Sequence, residues 1–138
     1  MKIHVLKENQ PHIENFQRVD VSDNQIDLSG ISDNECTLVL ANDSLNSFSI
    51  ENIPSFIQSL VKKIRVNGAL VVGGTEIRLF CKNVTNGSIS EAEASKIIND
   101  VQSMTTLYET ENIIKSLGLN VESTQLNGIH YEIKAKRG

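Results

Sequence analysis

Apolar residues near the middle of the chain form two continuous runs instead of alternating with polar residues. The first run is "CTLVLA" at positions 36–41, and the second is "ALVVG" at positions 69–73. Uninterrupted apolar runs of this length, rich in β-branched residues, predict strands that are covered on both faces, as in a parallel sheet. A shorter group, Ile3, Val5 and Leu6, predicts another buried strand near the start of the chain.

Between the two runs, apolar residues recur at spacings of three and four. They form one helical stripe: Ile53, Phe56, Ile57, Leu60, Val61 and Ile64. Pro54 suits the first turn of this helix, and the positive charges at positions 62, 63 and 65 (Lys, Lys and Arg) suit its last turn. Gly68 is expected to stop the helix in a left-handed conformation. Strand, helix and strand in succession predict a right-handed βαβ unit with parallel strands.

The C-terminal third predicts two more helices and a hairpin. Ser90 and Glu93 form a capping box ahead of an apolar stripe made of Ala94, Ile97, Ile98, Val101 and Met104. Thr110 is expected to cap a second, short helix that ends at Gly118. Two strands are then predicted around the dipeptide at positions 127–128, Asn-Gly, which is typical of a tight hairpin turn.

The N-terminal third has no comparable helical stripe. Between the first strand and Cys36 the chain has only short apolar groups, "FQRVDV" and "IDLSGI", which polar turns separate. The N-terminal half of the sheet is therefore expected to be thinly covered. Either a second subunit covers it, or its strands are short and partly exposed.

Composition indicates one ordinary globular domain over residues 1–138. Hydrophobic residues make up 39% of the chain and charged residues 22%. The net charge of −4 argues against nucleic acid as a partner, since electrostatic binding to it needs clustered Lys and Arg. We interpret the one basic cluster, "KAKR" at positions 134–137, as a solvated tail. No run approaches the roughly 18 apolar residues of a membrane span, and the start lacks the apolar core of a signal peptide. The cytoplasm is the expected location, with no membrane partner.

Other candidate chemistry is sparse. Cys36 and Cys81 lie in apolar, strand-like runs without a CxxC spacing, so we interpret both as core residues. The histidines at positions 4, 12 and 130 show no metal-ligand spacing, and His130 is expected to be solvated on the polar side of the last strand. No nucleophile with a neighbouring base is recognisable. The sequence therefore predicts neither catalytic residues nor a metal site.

Five segments, by their order and spacing, carry a family resemblance. They are "KIHV", "FQRVDV", "IDLSGISDNECTLVLANDSLNSF", "SFIQSLVKKIRVNGALVV" and "LYETENIIKSLGLNVES". Together they resemble the class I S-adenosylmethionine-dependent methyltransferases, from the first strand through the adenine-side loop to the C-terminal helix and sixth strand. The resemblance implies a Rossmann-like, methyltransferase-type α/β sheet, mostly parallel, with a C-terminal antiparallel hairpin and a reduced N-terminal half.

The first loop departs from the family pattern. In these enzymes the loop is rich in glycine and cradles the methionine end of the cofactor, whereas here it begins with Leu6, Lys7 and Glu8. A Cβ at Leu6 would enter space that the cofactor needs, and Glu8 would bring a carboxylate near the cofactor's own. This departure predicts that the loop no longer holds S-adenosylmethionine.

Four other positions match family cofactor sites, each with a plain structural alternative. The resemblance implies that Asp20 would hold ribose hydroxyls, although it also suits a solvated turn. Asp27 and Leu28 would flank the adenine ring, or serve as a turn carboxylate and a core residue. Asn42 would lie near the reactive methyl, or form an ordinary Asx turn with its neighbours.

Two functions follow from this comparison. The leading hypothesis is a methyltransferase-like protein without cofactor or catalysis, which acts as a binding or assembly module with a homo-oligomer or partner subunit over its reduced side. The alternative is an active small methyltransferase that binds S-adenosylmethionine through a divergent loop, since methyl transfer depends mainly on positioning. A flavodoxin-like or other nucleotide-binding module is a third possibility, which the terminal hairpin disfavours.

Overall fold

The computed structural model of the chain describes residues 1–7, 10–11 and 13–138. Its strands are β1 (Lys2–Lys7), β2 (Gln17–Ser22), β3 (Gln25–Ile26), β4 (Cys36–Ala41), β5 (Ile64–Thr75), β6 (Leu119–Asn127) and β7 (His130–Arg137). They form a seven-stranded sheet in the spatial order β3-β2-β1-β4-β5-β7-β6. Glu8, which the sequence placed in the cofactor loop, lies outside the described residues.

The helices lie mainly in the second half of the chain. They are α1 (Ile53–Lys63), α2 (Ile77–Thr85), α3 (Glu91–Asp100) and α4 (Leu107–Ser116). Two short 3₁₀ turns, Leu45–Ser47 and Ile50–Asn52, precede α1. Across the residues that the structure describes, we find no helix with the length and apolar character needed to cross a membrane.

The strand directions confirm a mostly parallel sheet. β1 runs parallel to β2 and β4, and β4 runs parallel to β5. β7 is antiparallel to both β5 and β6, so the chain ends in the predicted hairpin. The turn lies at positions 128–129, because Asn127 pairs with His130, and Gly128 has a φ of 63°.

The two faces of the sheet differ in what covers them. Helices α1 and α4 pack on one side, which we name the helical face, and its strand residues Val39, Leu70 and Ile133 are completely buried. Successive strand residues point to opposite sides of a sheet. The other side is named the open face. It is defined by four partly exposed residues, Leu38, Leu40, Ala69 and Val71.

The N-terminal third is reduced, as the sequence predicts. The described residues between β1 and β4 contain no helix. On the open side of β1, the ring of Phe16 lies 6.1 Å from the ring of His4 and 5.7 Å from Lys2 Nζ. This part of the sheet is therefore covered by a short connecting segment rather than by a helix.

Helix α1 ends differently from the prediction. Its last residue is Lys63, and Ile64 is already extended at the start of β5. The left-handed residue is Asn67, with a φ of 66° at an irregularity in the pairing with β4. Gly68 is needed for space instead, because a Cβ there would lie 2.8 Å from the carbonyl oxygen of Cys36. The prediction that Gly68 stops the helix was wrong.

Two cap predictions have different outcomes. The capping box of Ser90 and Glu93 at the start of α3 is confirmed. The cap of α4 is Thr106, whose hydroxyl accepts a hydrogen bond from the Glu109 N–H at 3.1 Å. Thr110 is therefore not the cap: it lies one turn inside α4 and is buried against the sheet. The end of that helix is as predicted, with Gly118 at a φ of 87°.

Two further interpretations were wrong. Cys36 is buried in β4 as expected, but Cys81 is exposed on α2, a helix that the sequence did not predict. The basic positions 134–137 belong to β7 and are not a solvated tail. Arg137 Nη1 donates hydrogen bonds to Asn34 Oδ1 at 2.7 Å and to the carbonyl oxygen of Ile64 at 2.5 Å.

Candidate functional site

The carboxyl ends of the parallel strands meet at one edge of the sheet, where open α/β folds usually bind ligands. β1 ends there at Lys7, β2 at Ser22 and β4 at Ala41. Since β7 is antiparallel to β5, its first residue, His130, lies at the same edge and pairs with Thr75. This edge is the place to look for the predicted cofactor residues.

Arg18 occupies the space between the end of β1 and Asp20. Its Nε lies 2.6 Å from Asp20 Oδ1, and its Nη2 donates to the carbonyl oxygen of Lys7 at 2.8 Å. Its Nη1 donates to the carbonyl oxygen of Gln10. Arg18 and Asp20 are two residues apart on an extended strand, so both side chains point to the same side. The guanidinium therefore ties the acidic residue of β2 to the loop that follows β1.

The segment after Asp20 forms a tight hairpin. β2 continues to Ser22, turns at Asn24 with a φ of 58°, and returns as β3 with Val21 paired to Ile26. The turn is fixed to the chain before α1, because Asn24 Oδ1 accepts from the Ser49 N–H at 2.7 Å. A short antiparallel edge strand thus follows Asp20 in this sheet.

A cavity of about 620 Å³ lies between this hairpin and α1. Its polar lining includes Asp20, Asp27 and Asn52, and its inner wall includes Phe48 and Phe56. The two phenyl rings stack on each other with centroids 4.0 Å apart and are buried, so little of either ring is available to a ligand. Polar and apolar side chains therefore share the accessible lining of this cavity.

Asp27 and Leu28 have structural contacts of their own. Asp27 Oδ1 accepts hydrogen bonds from the Ser29 hydroxyl at 2.6 Å and from the Ser29 N–H at 3.0 Å. These two bonds lower the pKa of Asp27. Leu28 is part of the hydrophobic core. Of the predicted pair, only Asp27 lines the 620 Å³ cavity.

Asn42 lies in a separate, smaller cavity of about 290 Å³. Its neighbours in the lining are Asp43, Gln125, Asn127, His130, Tyr131 and Glu132. His130 Nδ1 lies 3.7 Å from Asp43 Oδ1. Burial raises the pKa of Asp43, and the nearby charges of His130 and Lys7 partly oppose this effect. His130 is exposed, as the sequence predicts, and its ring lies near this carboxylate in the lining of the cavity.

The predicted cofactor residues that line a cavity are divided between two cavities. Asp20 and Asp27 share the cavity beside the hairpin, whereas Asn42 belongs to the cavity beside β7. Leu6 is nearly buried, at 9% exposure, and points to the same side of β1 as His4. Among residues 1–7, 10–11 and 13–138, no group of three His, Cys, Asp or Glu side chains could hold a metal ion.

A buried acid that the sequence did not single out organises the end of β5. Glu76 is only 6% exposed, and its carboxylate accepts from the Arg78 N–H at 2.8 Å and from the Leu107 N–H at 2.7 Å. It therefore caps α2 and α4 together. Its position two residues before Arg78 is a local signal for the cap of α2. Leu107, at the start of α4, lies 31 residues away along the chain, so no local signal indicates the second cap.

A second contact that the sequence did not predict holds α4 against the sheet. The hydroxyl of Tyr131 lies 2.5 Å from Thr105 Oγ1 and 2.7 Å from Thr110 Oγ1, and all three side chains are buried. Burial raises the pKa of Tyr131. Together with Glu76, this cluster fixes the position of α4 relative to the carboxyl end of β5.

Solved structures with the same arrangement of strands and helices are methyltransferases. An O-methyltransferase family protein from Burkholderia thailandensis superposes with a TM-score of 0.63 at 14% identity, over 89% of this chain and 36% of that one. This chain has a class I methyltransferase-like fold. A SAM-dependent methyltransferase from Archaeoglobus fulgidus superposes on this methyltransferase-like chain with a TM-score of 0.59 at 10% identity. The superposition covers 89% of this chain and 68% of the Archaeoglobus protein.

A third methyltransferase was solved with ligands bound. It is the 1,6-didemethyltoxoflavin-N1-methyltransferase of Burkholderia thailandensis, with 1,6-didemethyltoxoflavin and S-adenosylhomocysteine, and its TM-score is 0.56 at 13% identity. The superposition includes 90% of the methyltransferase-like chain but only 52% of the length of that enzyme. No family model and no curated protein matches the sequence. The likeness therefore defines the fold, and activity needs a separate argument.

Proposed function

We propose that this chain is a methyltransferase-like protein that does not bind S-adenosylmethionine and acts as a binding or assembly module. The observation that carries the proposal is the position of Arg18. Its guanidinium engages Asp20 and the carbonyl oxygens of Lys7 and Gln10, which are the groups that border the expected cofactor site.

The energetic argument rests on the whole arrangement. An exposed ion pair contributes only about 0–1 kcal/mol, so the bond from Arg18 to Asp20 alone would not keep out a ribose. Hydrogen bonds to charged groups contribute about 1.5–3 kcal/mol each, and Arg18 makes two more of them to backbone oxygens. A ribose at Asp20 would have to share the carboxylate with a guanidinium that these two bonds hold in place. The loop also directs carbonyl oxygens toward this space, whereas a cradle for a carboxylate needs N–H groups.

The binding role rests on the open face. All four of its apolar residues are partly exposed, although parallel sheets are almost always covered on both sides. A second copy of the chain or a different partner subunit over this face would remove the apolar side chains from water. An interface of at least about 1,000 Å² in total is the minimum for such an assembly.

One observation favours the alternative of an active methyltransferase. The cavity beside β7 brings Asn42, Asp43 and His130 to the edge where open α/β folds bind ligands. A histidine near a carboxylate is a suitable proton acceptor for a hydroxyl or amine that takes up a methyl group. A small methyltransferase could use this cavity for its methyl acceptor.

Thermal unfolding with about 1 mM S-adenosylmethionine or S-adenosylhomocysteine separates the two functions. A site with a dissociation constant near 10 μM would add about 2.7 kcal/mol of stability at that concentration. This corresponds to a rise of several degrees in Tm for a domain of this size. We expect no rise with either compound. A rise would overturn the proposal and favour the enzyme, whose methyl acceptor would then be sought in the cavity of Asp43 and His130.

A further inference from the structure

The two central strands carry apolar side chains toward both faces, but only one face is fully buried. In β4, Val39 points to the helical face and is completely buried. Its neighbours Leu38 and Leu40 point to the open face and are partly exposed. In β5, Leu70 and Val72 are completely buried, while Val71 between them remains partly exposed. A strand with one solvated face normally alternates apolar and polar residues. The continuous runs are therefore suited to a sheet with a second cover.

The apolar residues of the open face form one compact patch. Leu38 pairs with Ala69, and Leu40 pairs with Val71, so the four side chains lie side by side on adjacent strands. We name this group, together with the lysines described next, the lysine-flanked patch. The strand pairing places the patch in the middle of the sheet, away from both edge strands.

Lysines flank the patch on both sides. On β1, Lys2 pairs with Leu38. On β7, Lys136 pairs with Ala69 and Lys134 pairs with Val71. Paired residues on neighbouring strands point to the same side of a sheet, so these three ammonium groups border the open face. Glu132, which pairs with Gly73, points to the same side but lies beyond Val71, toward the carboxyl edge of the sheet.

Internal ion pairs leave most of this charge available. Lys134 Nζ lies 3.8 Å from Glu122 Oε2 on the neighbouring strand, and Lys2 Nζ lies over the ring of Phe16. Within the described ranges 1–7, 10–11 and 13–138, no carboxylate forms an ion pair with Lys2 or Lys136. An acidic group from outside could therefore meet either lysine without breaking an ion pair.

We propose that the lysine-flanked patch binds an amphipathic helix of a partner protein, with an apolar face on the patch and acidic residues along both flanks. This inference rests on the binding role proposed above and specifies its partner. Four strands at about 4.8 Å spacing separate Lys2 from Lys136 by about 14 Å. A helix is about 10 Å wide with its side chains. One helix therefore fits between Lys2 and the two lysines of β7, and its flanking carboxylates reach both sides.

The charge pattern argues against two other occupants. Two copies placed face to face would bring six lysines into one interface, where like charges repel each other. A membrane surface would attract the lysines, but binding to it needs apolar side chains that insert into the lipid. The patch residues are only partly exposed.

The test uses a labelled synthetic peptide of about five helical turns. It has leucines at spacings of three and four and glutamates on both flanks, and a matched peptide carries lysine in place of every glutamate. We expect the full chain to raise the fluorescence anisotropy of the glutamate peptide only. Binding should weaken as salt rises from about 50 to 300 mM, because the contacts are electrostatic in part.

Two variants locate the site. The double variant Lys134→Glu with Lys136→Glu should lower the affinity for the glutamate peptide by about tenfold or more, and it should bind the lysine peptide. The control, Lys82→Glu with Lys96→Glu, makes the same change of charge on α2 and α3, away from the patch, and should leave binding unchanged. Val71→Thr keeps the shape of the strand and should weaken binding through the apolar contact alone.

Each other result overturns the inference. Equal binding of both peptides, or binding that Lys134→Glu with Lys136→Glu leaves intact, would contradict an acidic helix on this patch. Self-association of the chain that Val71→Thr abolishes would identify a second copy as the occupant, and the proposed binding role would stand. Binding only to vesicles of anionic phospholipid would identify a membrane. The cofactor measurements test the proposed loss of S-adenosylmethionine binding independently of all these results.

Discussion

The guanidinium of Arg18 lies 2.6 Å from the carboxylate of Asp20, two residues further along the same strand. The same side chain donates to the backbone of Lys7 and Gln10. One cation thus holds three groups near the expected cofactor site. In a fold shared with methyltransferases, this contact is the basis of the proposed loss of cofactor binding.

Replacement of Arg18 by alanine tests how firmly the loop after β1 is held. We expect Arg18→Ala to lower the free energy of unfolding by about 1–2 kcal/mol, because a part-buried charged hydrogen bond is lost together with two exposed ones. Hydrogen exchange at the Gln10 amide, which bonds to the Lys7 carbonyl oxygen, should become faster. Arg78→Ala, on the exposed side of α2, is the matched control. Equal effects of the two variants would contradict a specific role for Arg18.

Glu76 should contribute to stability through two helices at once. Glu76→Gln preserves the shape of the side chain but turns one acceptor oxygen into an NH₂ group, which would face the N–H of Arg78 or Leu107. We expect a loss of about 1–3 kcal/mol in denaturant-induced unfolding. Glu109→Gln, an exposed glutamate in the first turn of α4, should change stability by less than about 0.5 kcal/mol. A small effect of Glu76→Gln would show that water replaces the caps.

The Tyr131 hydroxyl should make stability depend on pH in the alkaline range. Burial raises the pKa of Tyr131 in the folded chain above its value in the unfolded chain. Stability is therefore complete below the unfolded pKa, near 10, and declines as pH rises through the raised folded pKa, since the unfolded state loses its proton first. Tyr131→Phe should remove this part of the decline, and Tyr108→Phe, on an exposed residue, should not.

The same variant measures the hydrogen bonds to α4. At pH 7, Tyr131→Phe should destabilise the fold by about 1–2 kcal/mol, because Thr105 and Thr110 lose a buried partner. Addition of Thr110→Val should cost less in the Tyr131→Phe variant than in the native chain, since the two residues share one contact. Additive losses in equilibrium unfolding would contradict this coupling.

Gly68 should tolerate no side chain. Gly68→Ala would place a Cβ 2.6 Å from Ile64 Cγ2 and 2.8 Å from the Cys36 carbonyl oxygen, and the second of these is fixed backbone. We expect a loss of about 2 kcal/mol or more in thermal or denaturant unfolding. Gly30→Ala is the control, because a Cβ there meets nothing within 4 Å. A neutral Gly68→Ala would show that the irregularity in β5 can move.

Asn67 offers the converse test at the same irregularity. It has a φ of 66°, a conformation that glycine adopts without steric cost. Asn67→Gly should therefore leave stability unchanged or raise it by up to about 1 kcal/mol. A clear loss would show that the Asn67 side chain, rather than its backbone conformation, is what this position requires.

The sequence by itself determined the elements whose signal is local. The stripe from Ile53 to Leu60 and the continuous runs of β4 and β5 identified the helix and its two strands. The Ser90 capping box and the glycine after α4 located helix ends. These features depend on backbone geometry and on spacings of a few residues, so nearby side chains are enough to specify them.

Equally strong sequence signals gave wrong predictions where a contact between distant parts of the chain decides which of two local structures forms. Thr106 and Thr110 are both suitable caps, and Thr110 is instead buried because it shares a hydrogen bond with the Tyr131 hydroxyl on the sheet. The basic end of the chain is a strand because β7 pairs with β5, and not a tail as its charge indicates. Local propensity could not rank these alternatives.

The tertiary structure alone decided the character of the site. The resemblance implied one cofactor site for Asp20, Asp27 and Asn42. In the fold, Asn42 lines a different cavity from the two aspartates, and Asp20 forms an ion pair with Arg18. The physical reason is that polar contacts depend on the position of side chains in space, which periodicity does not encode. Periodicity did encode the need for a second cover on β4 and β5, and only the folded chain shows that this cover is incomplete.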